Sequence, residues 1–320
     1  MILKSIATAL SPAGFRARLS ILIFHRVLSQ PDPLFPGEQD VRRFNEVLSW
    51  ISGWFQVLPL DEAVLRLGTG TLPQRAAAIT FDDGYADNAV NALPVLRSHG
   101  MPATFFVATS FLDGGRMWND TVIEAVRTCS TKFLDLSDGG LGTFALESDQ
   151  QRRIAIEGLL AKIKYLEPEK RDKAVAFVKQ CAVGRLPDDL MMTSTQVREL
   201  RHAGMQIGAH TCSHPILARL PDKDAFNEIT ASKAALELLL GEAISLFAYP
   251  NGKPGKDYLA KHAAMVKQAG FLAAVSTSYG VSSAATDGYQ LPRFSPWDTG
   301  RFRYGARMMM NLRNDHPEID

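Results

Sequence analysis

Two short segments of this chain carry residue types that suit metal-dependent hydrolysis. The first, ITFDDG at residues 79–84, ends an apolar run with the adjacent carboxylates Asp82 and Asp83. Adjacent carboxylates repel each other and resist burial, so a bound cation or a catalytic role would account for them. The same letters also suit an ordinary turn, because Asp and Gly favour turns.

The second segment, GAHTCSHP at residues 208–215, places His210 and His214 four residues apart. Two histidines at this spacing can reach one metal ion from the same side of a turn. With one carboxylate they form a ligand set that leaves positions open for water and substrate. The remaining carboxylate could then accept a proton from the attacking water. The two segments together predict a hydrolytic metal site.

The composition is that of an ordinary globular protein. The 320 residues include 35 basic and 34 acidic ones, and this balance gives no indication of nucleic-acid binding. Cys129, Cys181 and Cys212 are odd in number and far apart, so we expect buried or inert thiols. No apolar run approaches the ~20 residues of a membrane span.

The N-terminal segment, residues 1–19, has no clean signal peptide, because Pro12, Arg16 and Arg18 interrupt its apolar stretches. We therefore expect a cytoplasmic or membrane-peripheral protein. The segment could lie on a membrane surface as a basic amphipathic helix, or form a mobile or packed terminal helix.

Apolar runs alternate with segments of helical spacing along most of the chain. The predicted strands are Ser20–Phe24, Ala77–Phe81, Ala103–Ala108, Met205–Ala209, Ser245–Tyr249 and Ala273–Thr277. The predicted helices are Arg43–Gly53, Ala86–His99, Thr195–Ala203, Ala225–Leu240 and Tyr258–Ala269. This alternation predicts an α/β fold with parallel strands, either an open sheet or a barrel.

One catalytic domain is expected over residues 20–300, followed by a C-terminal tail at 301–320. The alternation of strands and helices is interrupted at about residues 113–190. This stretch contains a Gly-containing loop, SDGGLG, and a charged helical region. This pattern predicts a mostly helical insertion, which either covers the site or is a solvated segment without a role in function.

The segments TFDDG and HTCSHP resemble the first two motifs of the polysaccharide deacetylases, the NodB-homology group of carbohydrate esterases. The resemblance implies a distorted (β/α) barrel of about seven units. It also implies Asp82 as the base and Asp83, His210 and His214 as ligands of a divalent metal, zinc first and cobalt or another ion second. The implied reaction removes N-acetyl groups from amino sugars.

Weaker similarities extend to the rest of the site. ILIFHRV at residues 21–27 resembles the first-strand signature of exopolysaccharide-type members and includes His25. FAYPNG at residues 247–252 resembles the motif whose turn donates a backbone N–H to the oxyanion, and here it contains Tyr249, Pro250 and Asn251. The family's arginine in that motif is replaced by Ala248 and its aromatic residue by Asn251.

Two functional groups of the family lack an obvious counterpart. If an arginine still orients the base, Arg293 is the candidate by position. The usual C-terminal histidine acid is missing, so His25 or another donor would protonate the leaving amine. We expect Trp118, Asn119 and Asp120 in a loop after the Phe105–Val107 strand, and Trp297 follows Arg293. These residues could either line a sugar groove or simply pack.

The residues predict a hydrolytic metal site, and the resemblance implies a metal-dependent N-deacetylase acting on an N-acetylated amino-sugar glycan or its precursor. Two alternatives stay open. One is a carbohydrate-binding protein that has lost catalysis, which the altered motifs would fit. The other is a deformylase or deacetylase of a lipid-linked sugar, or an amidase acting on another C–N bond.

Overall fold

A computed structural model describes residues 2–296 and 298–315. The strands are β1 (Ser20–Phe24), β2 (Val27–Leu28), β3 (Gln39–Asp40), β4 (Gln56–Val57), β5 (Ala76–Phe81), β6 (Thr104–Val107), β7 (Phe133–Leu136), β8 (Gly142–Ala145), β9 (Gln206–Ala209), β10 (Leu246–Ala248) and β11 (Ala273–Val275). The α-helices are α1 (Ile2–Leu10), α2 (Val41–Trp54), α3 (Leu60–Gly68), α4 (Leu93–Ser98), α5 (Trp118–Thr128), α6 (Asp149–Ile163), α7 (Pro168–Cys181), α8 (Ser194–His202), α9 (Asp222–Leu240), α10 (Ala260–Gln268) and α11 (Arg301–Asn311).

The main sheet is parallel and curled, with the strand order β1-β5-β6-β9-β10-β11 and β4 paired to β5. Residues 291–294 join its two ends, because Leu291 bridges to Val275 of β11 and Phe294 bridges to Leu22 of β1. Every residue of β5 is buried, as expected for a strand covered on both faces. The predicted α/β barrel is confirmed, and each of the six predicted strands overlaps a strand of this sheet.

Helices pack around the sheet with their apolar stripes inward. In α2 the buried residues follow helical spacing, and the Asp40 side chain caps the helix by accepting from the Arg43 N–H; the buried set is Phe44, Val47, Leu48, Ile51 and Trp54. The segment predicted as one helix at Ala86–His99 is divided into a π-helical turn, Asn88–Ala92, and α4.

Residues 113–190 contain α5, the antiparallel pair β7–β8, α6 and α7. The SDGG letters form the turn between β7 and β8, which the sequence pattern did not predict as strands. These elements enclose an apolar cluster of their own, with Val126, Leu136, Leu159 and Val178 fully buried. The segment therefore folds as a small layer beside the main sheet.

The ends of the described chain pack against each other. Helix α1 contacts α11 and α2. Residues 301–311, assigned to a tail from sequence, form α11 with Tyr304 and Met308 fully buried. Within residues 2–296 and 298–315, every helix is too short or too polar to cross a bilayer.

Candidate active site

Four strand ends bring the predicted site residues to one edge of the sheet. Asp82 and Asp83 follow β5, and His210 follows β9. Asn251 lies three residues after β10, and His25 directly follows β1. In parallel α/β folds the carboxyl ends of the strands meet at the same edge, which is where ligands bind. All five residues line one pocket of about 350 Å³.

Asp83, His210 and His214 form a compact donor set. Asp83 Oδ1 lies 3.4 Å from His210 Nε2 and 3.3 Å from His214 Nε2. One donor atom from each residue falls within 4.8 Å of the others. Ligands bound tetrahedrally to zinc at about 2.1 Å are about 3.4 Å apart, so the donor set fits such an ion. The Nδ1 atom of His210 contacts the Ala248 carbonyl at 2.8 Å, which leaves Nε2 facing the site.

The backbone at the site is held in an unfavourable conformation. Asp83, Thr211, His214 and Asn251 have φ angles of 77°, 64°, 54° and 60°. Residues other than glycine rarely adopt this left-handed conformation, and each one lowers the stability of the fold by roughly 1–3 kcal/mol. Such strain concentrates at functional sites, and it is supported here by specific hydrogen bonds, such as that from the His214 N–H to Thr211 Oγ1 at 3.1 Å.

Asp82 pairs with Arg293 rather than with the three donors. Arg293 Nη1 and Nη2 donate to the two carboxylate oxygens of Asp82, each at 2.6 Å. Arg293 Nε also donates to the Ser276 carbonyl at 2.8 Å, and both side chains are buried. The arginine chosen from its position alone thus forms a bidentate pair with the predicted base.

Burial and neighbouring charges set the protonation of the site. Burial alone would raise the pKa of Asp82, but the charge and hydrogen bonds of Arg293 hold that pKa below its ordinary value. Burial likewise opposes ionisation of Asp83, yet the neighbouring histidines His210 and His214 keep its pKa well below the ordinary range. Burial lowers the pKa of His214 to about 4. Asp82 and Asp83 are therefore ionised, and His214 neutral, at neutral pH.

The FAYPNG turn reaches the site through Asn251 alone. Asn251 lines the pocket, and its backbone N–H donates no hydrogen bond within the described part of the chain. The Tyr249 side chain points into the core, where its ring stacks on Tyr258 at 3.9 Å and its hydroxyl donates to the Tyr289 carbonyl. Pro250 is buried and does not line the pocket. Of the three oxyanion or substrate candidates in this turn, Asn251 lines the pocket, and Tyr249 and Pro250 do not.

Trp118, Asn119 and Asp120 do not lie in a loop, as predicted, but form the first turn of α5. The helical spacing of Val122, Ala125 and Val126 buries one face of α5. Asn119 and Asp120 line the main pocket, whereas Trp118 lines a smaller neighbouring cavity. Trp297 lies outside the described residues.

Two residues that the sequence did not single out, Tyr85 and Glu228, belong to the site. Tyr85 and Asp120 line the pocket together, and the Tyr85 hydroxyl donates to Asp120 Oδ1 at 3.0 Å. Burial and the nearby Asp83 raise the pKa of Asp120 to about 7. Tyr85 directly follows the DDG letters, which was the available signal. The sequence suggests Asp120 only as a lining residue of a sugar groove and does not indicate its contact with Tyr85.

Glu228 on α9 is the second residue that the sequence did not single out. Its carboxylate accepts from the backbone N–H groups of Cys212 and Ser213 at 2.8 and 2.9 Å, and from Ser213 Oγ at 2.7 Å. It therefore fixes the turn that presents His214. This residue carries no sequence signal, because only the packing of α9 brings it to the turn.

Comparison with known proteins agrees with this geometry. The family model described as polysaccharide deacetylase matches residues 69–132 and 163–274, which include Asp82, Asp83, His210, His214 and Asn251. The unmatched stretch between them holds β7, β8 and most of α6. YxkH of Bacillus subtilis (strain 168) is 37% identical over 93 residues, and this match spans 32% of the length of that relative.

Solved structures share the fold over nearly the whole chain. The deacetylase PplD of Streptococcus pyogenes superposes with a TM-score of 0.60 at 17% identity, covering 92% of this chain and 98% of that one. IcaB of Ammonifex degensii superposes with a TM-score of 0.58 at 18% identity, covering 95% and 98%. Since the family model matches more than half of the chain and includes the donor residues, this protein belongs to the polysaccharide deacetylase family.

Proposed function

We propose that this protein is a metal-dependent N-deacetylase of N-acetylated amino sugars in a polysaccharide or glycan precursor, such as an exopolysaccharide. The observation that carries the proposal is one pocket that holds the Asp83–His210–His214 donor set beside the buried Asp82–Arg293 pair. PplD, a deacetylase, was solved in complex with acetate, which is the product expected here.

Asp82 is the proposed base. Arg293 keeps its carboxylate ionised, and each carboxylate oxygen retains a lone pair beyond its bond to Arg293. The carboxylate can therefore accept the proton of the attacking water while the guanidinium prevents it from rotating. A carbohydrate-binding protein without catalysis would have no need of this arrangement.

A divalent ion held by Asp83, His210 and His214 would polarise the acetamide carbonyl and acidify a water molecule. Zinc is our first choice because two imidazoles and one carboxylate suit it, and cobalt is the second. The free backbone N–H of Asn251 then donates to the developing oxyanion.

His25 is the proposed donor of a proton to the leaving amine. It is exposed, lines the pocket and lies close enough for its charge to lower the pKa of both Asp82 and Asp83. A His25→Ala variant that kept full turnover would rule out this role.

The protein is also proposed to bind membrane surfaces peripherally. Helices α1 and α11 contain the basic residues Lys4, Arg301, Arg303 and Arg307 and no acidic residue. They line an apolar groove in which the Phe302 side chain is exposed. Basic and apolar groups on one face suit an anionic lipid surface, as expected if the substrate is a lipid-linked sugar.

The experiment that tests the proposed activity measures metal content and acetate release from N-acetylglucosamine oligomers. We expect about one divalent ion per chain. Asp82→Asn should lower turnover by about 10²–10⁴-fold and retain the metal. Bound metal without acetate release from any N-acetylated glycan would favour a binding protein. Failure to bind any metal would contradict the proposal outright.

A further inference from the structure

A second, smaller cavity adjoins the candidate metal site. Its volume is about 180 Å³, and it lies between the 113–190 segment and the main sheet; its lining residues are Trp118, Asn119, Leu160, Lys164, Arg171, His214, Ile216 and Asn251. Asn119, His214 and Asn251 also line the main pocket. A glycan that places its acetamide at His214 can therefore extend a neighbouring sugar into this cavity.

The two cavities differ in charge. The main pocket contains the carboxylates of Asp32, Glu38, Asp82, Asp83 and Asp120. The smaller cavity contains two cations, Lys164 and Arg171, and no carboxylate lines it. The main pocket also contains Arg26 and Arg127, so of the two cavities only the smaller one combines cations with an absence of lining carboxylates.

Both cations of the small cavity are poorly compensated within the described chain. Lys164 forms no ion pair there, and its ammonium lies 5.6 Å from the centroid of the Tyr165 ring. The nearest carboxylate oxygen to Arg171 Nε is Asp172 Oδ1 at 3.9 Å, on a side chain that is 73% exposed. Such a distant, solvated contact contributes little.

Arg171 also has an unsatisfied donor. Its Nε is buried and has no hydrogen-bond partner among the described residues. The guanidinium lies 5.7 Å from the centroid of the Trp118 ring. The free energy gained from a cation–π contact is smaller than the free-energy penalty of a buried charged donor that has no acceptor. A bound anion would supply an acceptor to the Arg171 guanidinium, and guanidinium and ammonium groups both suit carboxylate or phosphate oxygens.

We propose that the cavity lined by Lys164 and Arg171 binds an anionic substituent, a carboxylate or a phosphate, on the sugar next to the one that is deacetylated. The inference rests on the proposed deacetylase function and narrows its substrate to acidic glycans. Its two possible sources are a uronic acid in the chain and a phosphate attached to the neighbouring sugar.

The test compares three short oligosaccharides, each with one N-acetylglucosamine: one with a neutral neighbouring sugar, one with glucuronic acid and one with a sugar phosphate. The metal-loaded enzyme should release acetate from at least one charged substrate with a kcat/KM about tenfold above that for the neutral one. The charged substrate that is preferred identifies the anion. Equal values for all three would overturn the proposal.

Substitutions locate the effect. Arg171→Gln and Lys164→Gln should each raise KM for the preferred charged substrate about tenfold and change kinetics on the neutral one less than twofold. Lys170→Gln is the matched control. Lys170 is an exposed cation next to Arg171 on α7, and it does not line the cavity. An equal loss on charged and neutral substrates would contradict the assignment.

Binding to the Asp82→Asn variant separates this inference from the proposed activity. Calorimetry should show tighter binding of the charged oligosaccharide than of the neutral one, and Arg171→Gln should abolish the difference. If no substrate releases acetate, the deacetylase proposal fails, and this binding preference alone decides the cavity's role. Equal affinity for charged and neutral oligosaccharides would then overturn it.

Discussion

Asp82 and Arg293 lie 211 residues apart in the chain and meet as a buried pair with two short hydrogen bonds. Burial by itself would favour a neutral carboxyl, and the pKa of Asp82 is held low mainly by Arg293, with contributions from His210 and His25. Such a buried pair is costly to break, because the remaining charge is left uncompensated.

Arg293→Lys tests that dependence. A single ammonium cannot reproduce the bidentate contact. The Asp82 carboxylate should therefore be less firmly oriented, and its ionised form should be less stabilised. We expect kcat for acetate release to fall by at least about tenfold with metal content unchanged. Kinetics together with metal analysis check this. Arg303→Lys is the control, because Arg303 is exposed on α11. Full activity of Arg293→Lys would remove the orienting role.

Asp120 predicts a pH dependence of stability. Its pKa is raised from 3.8 to about 7 in the folded state, so between these values the folded protein binds more protons than the unfolded one. Its unfavourable contribution is absent below pH 4, grows as the pH rises and is complete above about 7.

Asp120→Asn keeps an acceptor for Tyr85 and removes the charge. In chelator-treated protein we expect the variant to gain on the order of 1–3 kcal/mol over the parent at pH 8 and nothing at pH 4. Urea unfolding at the two pH values measures the difference. A gain of equal size at both would show that the raised pKa is not its cause.

At the scale of elements, the turn between β9 and α9 depends on a helix that follows it in sequence. Glu228 of α9 accepts three hydrogen bonds from residues 212 and 213, and these hold His214 in its left-handed conformation. The helix thus acts on the metal site without contacting the donor atoms.

Glu228→Gln should therefore weaken metal retention. The amide can accept fewer of the three bonds and carries no charge, so we expect a roughly 10-fold higher dissociation constant for zinc. Glu237→Gln is the matched control: Glu237 also lies on α9 and accepts a backbone N–H, that of Ile244, away from the site. Equal zinc affinity in the two variants would contradict the role of Glu228.

At the scale of the whole molecule, the exposed apolar side chains near both chain ends gather on one face with basic residues. Ile2, Phe302 and Met310 are 78%, 76% and 64% exposed and line the groove between α1 and α11. Arg301 and Arg313 line the same groove.

This face should bind vesicles that contain phosphatidylglycerol and not those of phosphatidylcholine alone. Replacing both Phe302 and Met310 with Ser should lower vesicle partitioning at least about tenfold, since each side chain contributes roughly 1–2 kcal/mol when buried. Leu238→Ser on α9 controls for loss of any exposed apolar group, because Leu238 is 88% exposed. Co-sedimentation measures the binding. Partitioning that does not depend on lipid charge, or a stable dimer formed through this face, would contradict binding of the face to anionic lipids.

Pattern and spacing were sufficient for the α/β class, six of the seven strands of the main sheet and the segments around Asp82, Asp83, His210 and His214. These features are local: burial on both faces gives apolar runs, and strand ends carry polar residues. The pairing of Asp82 with Arg293, the support from Glu228, the inward Tyr249 side chain and the cations beside His214 depend on contacts between distant segments. Such contacts leave no periodic trace in the chain, so only the packing of helices and the 113–190 segment around the sheet decided them.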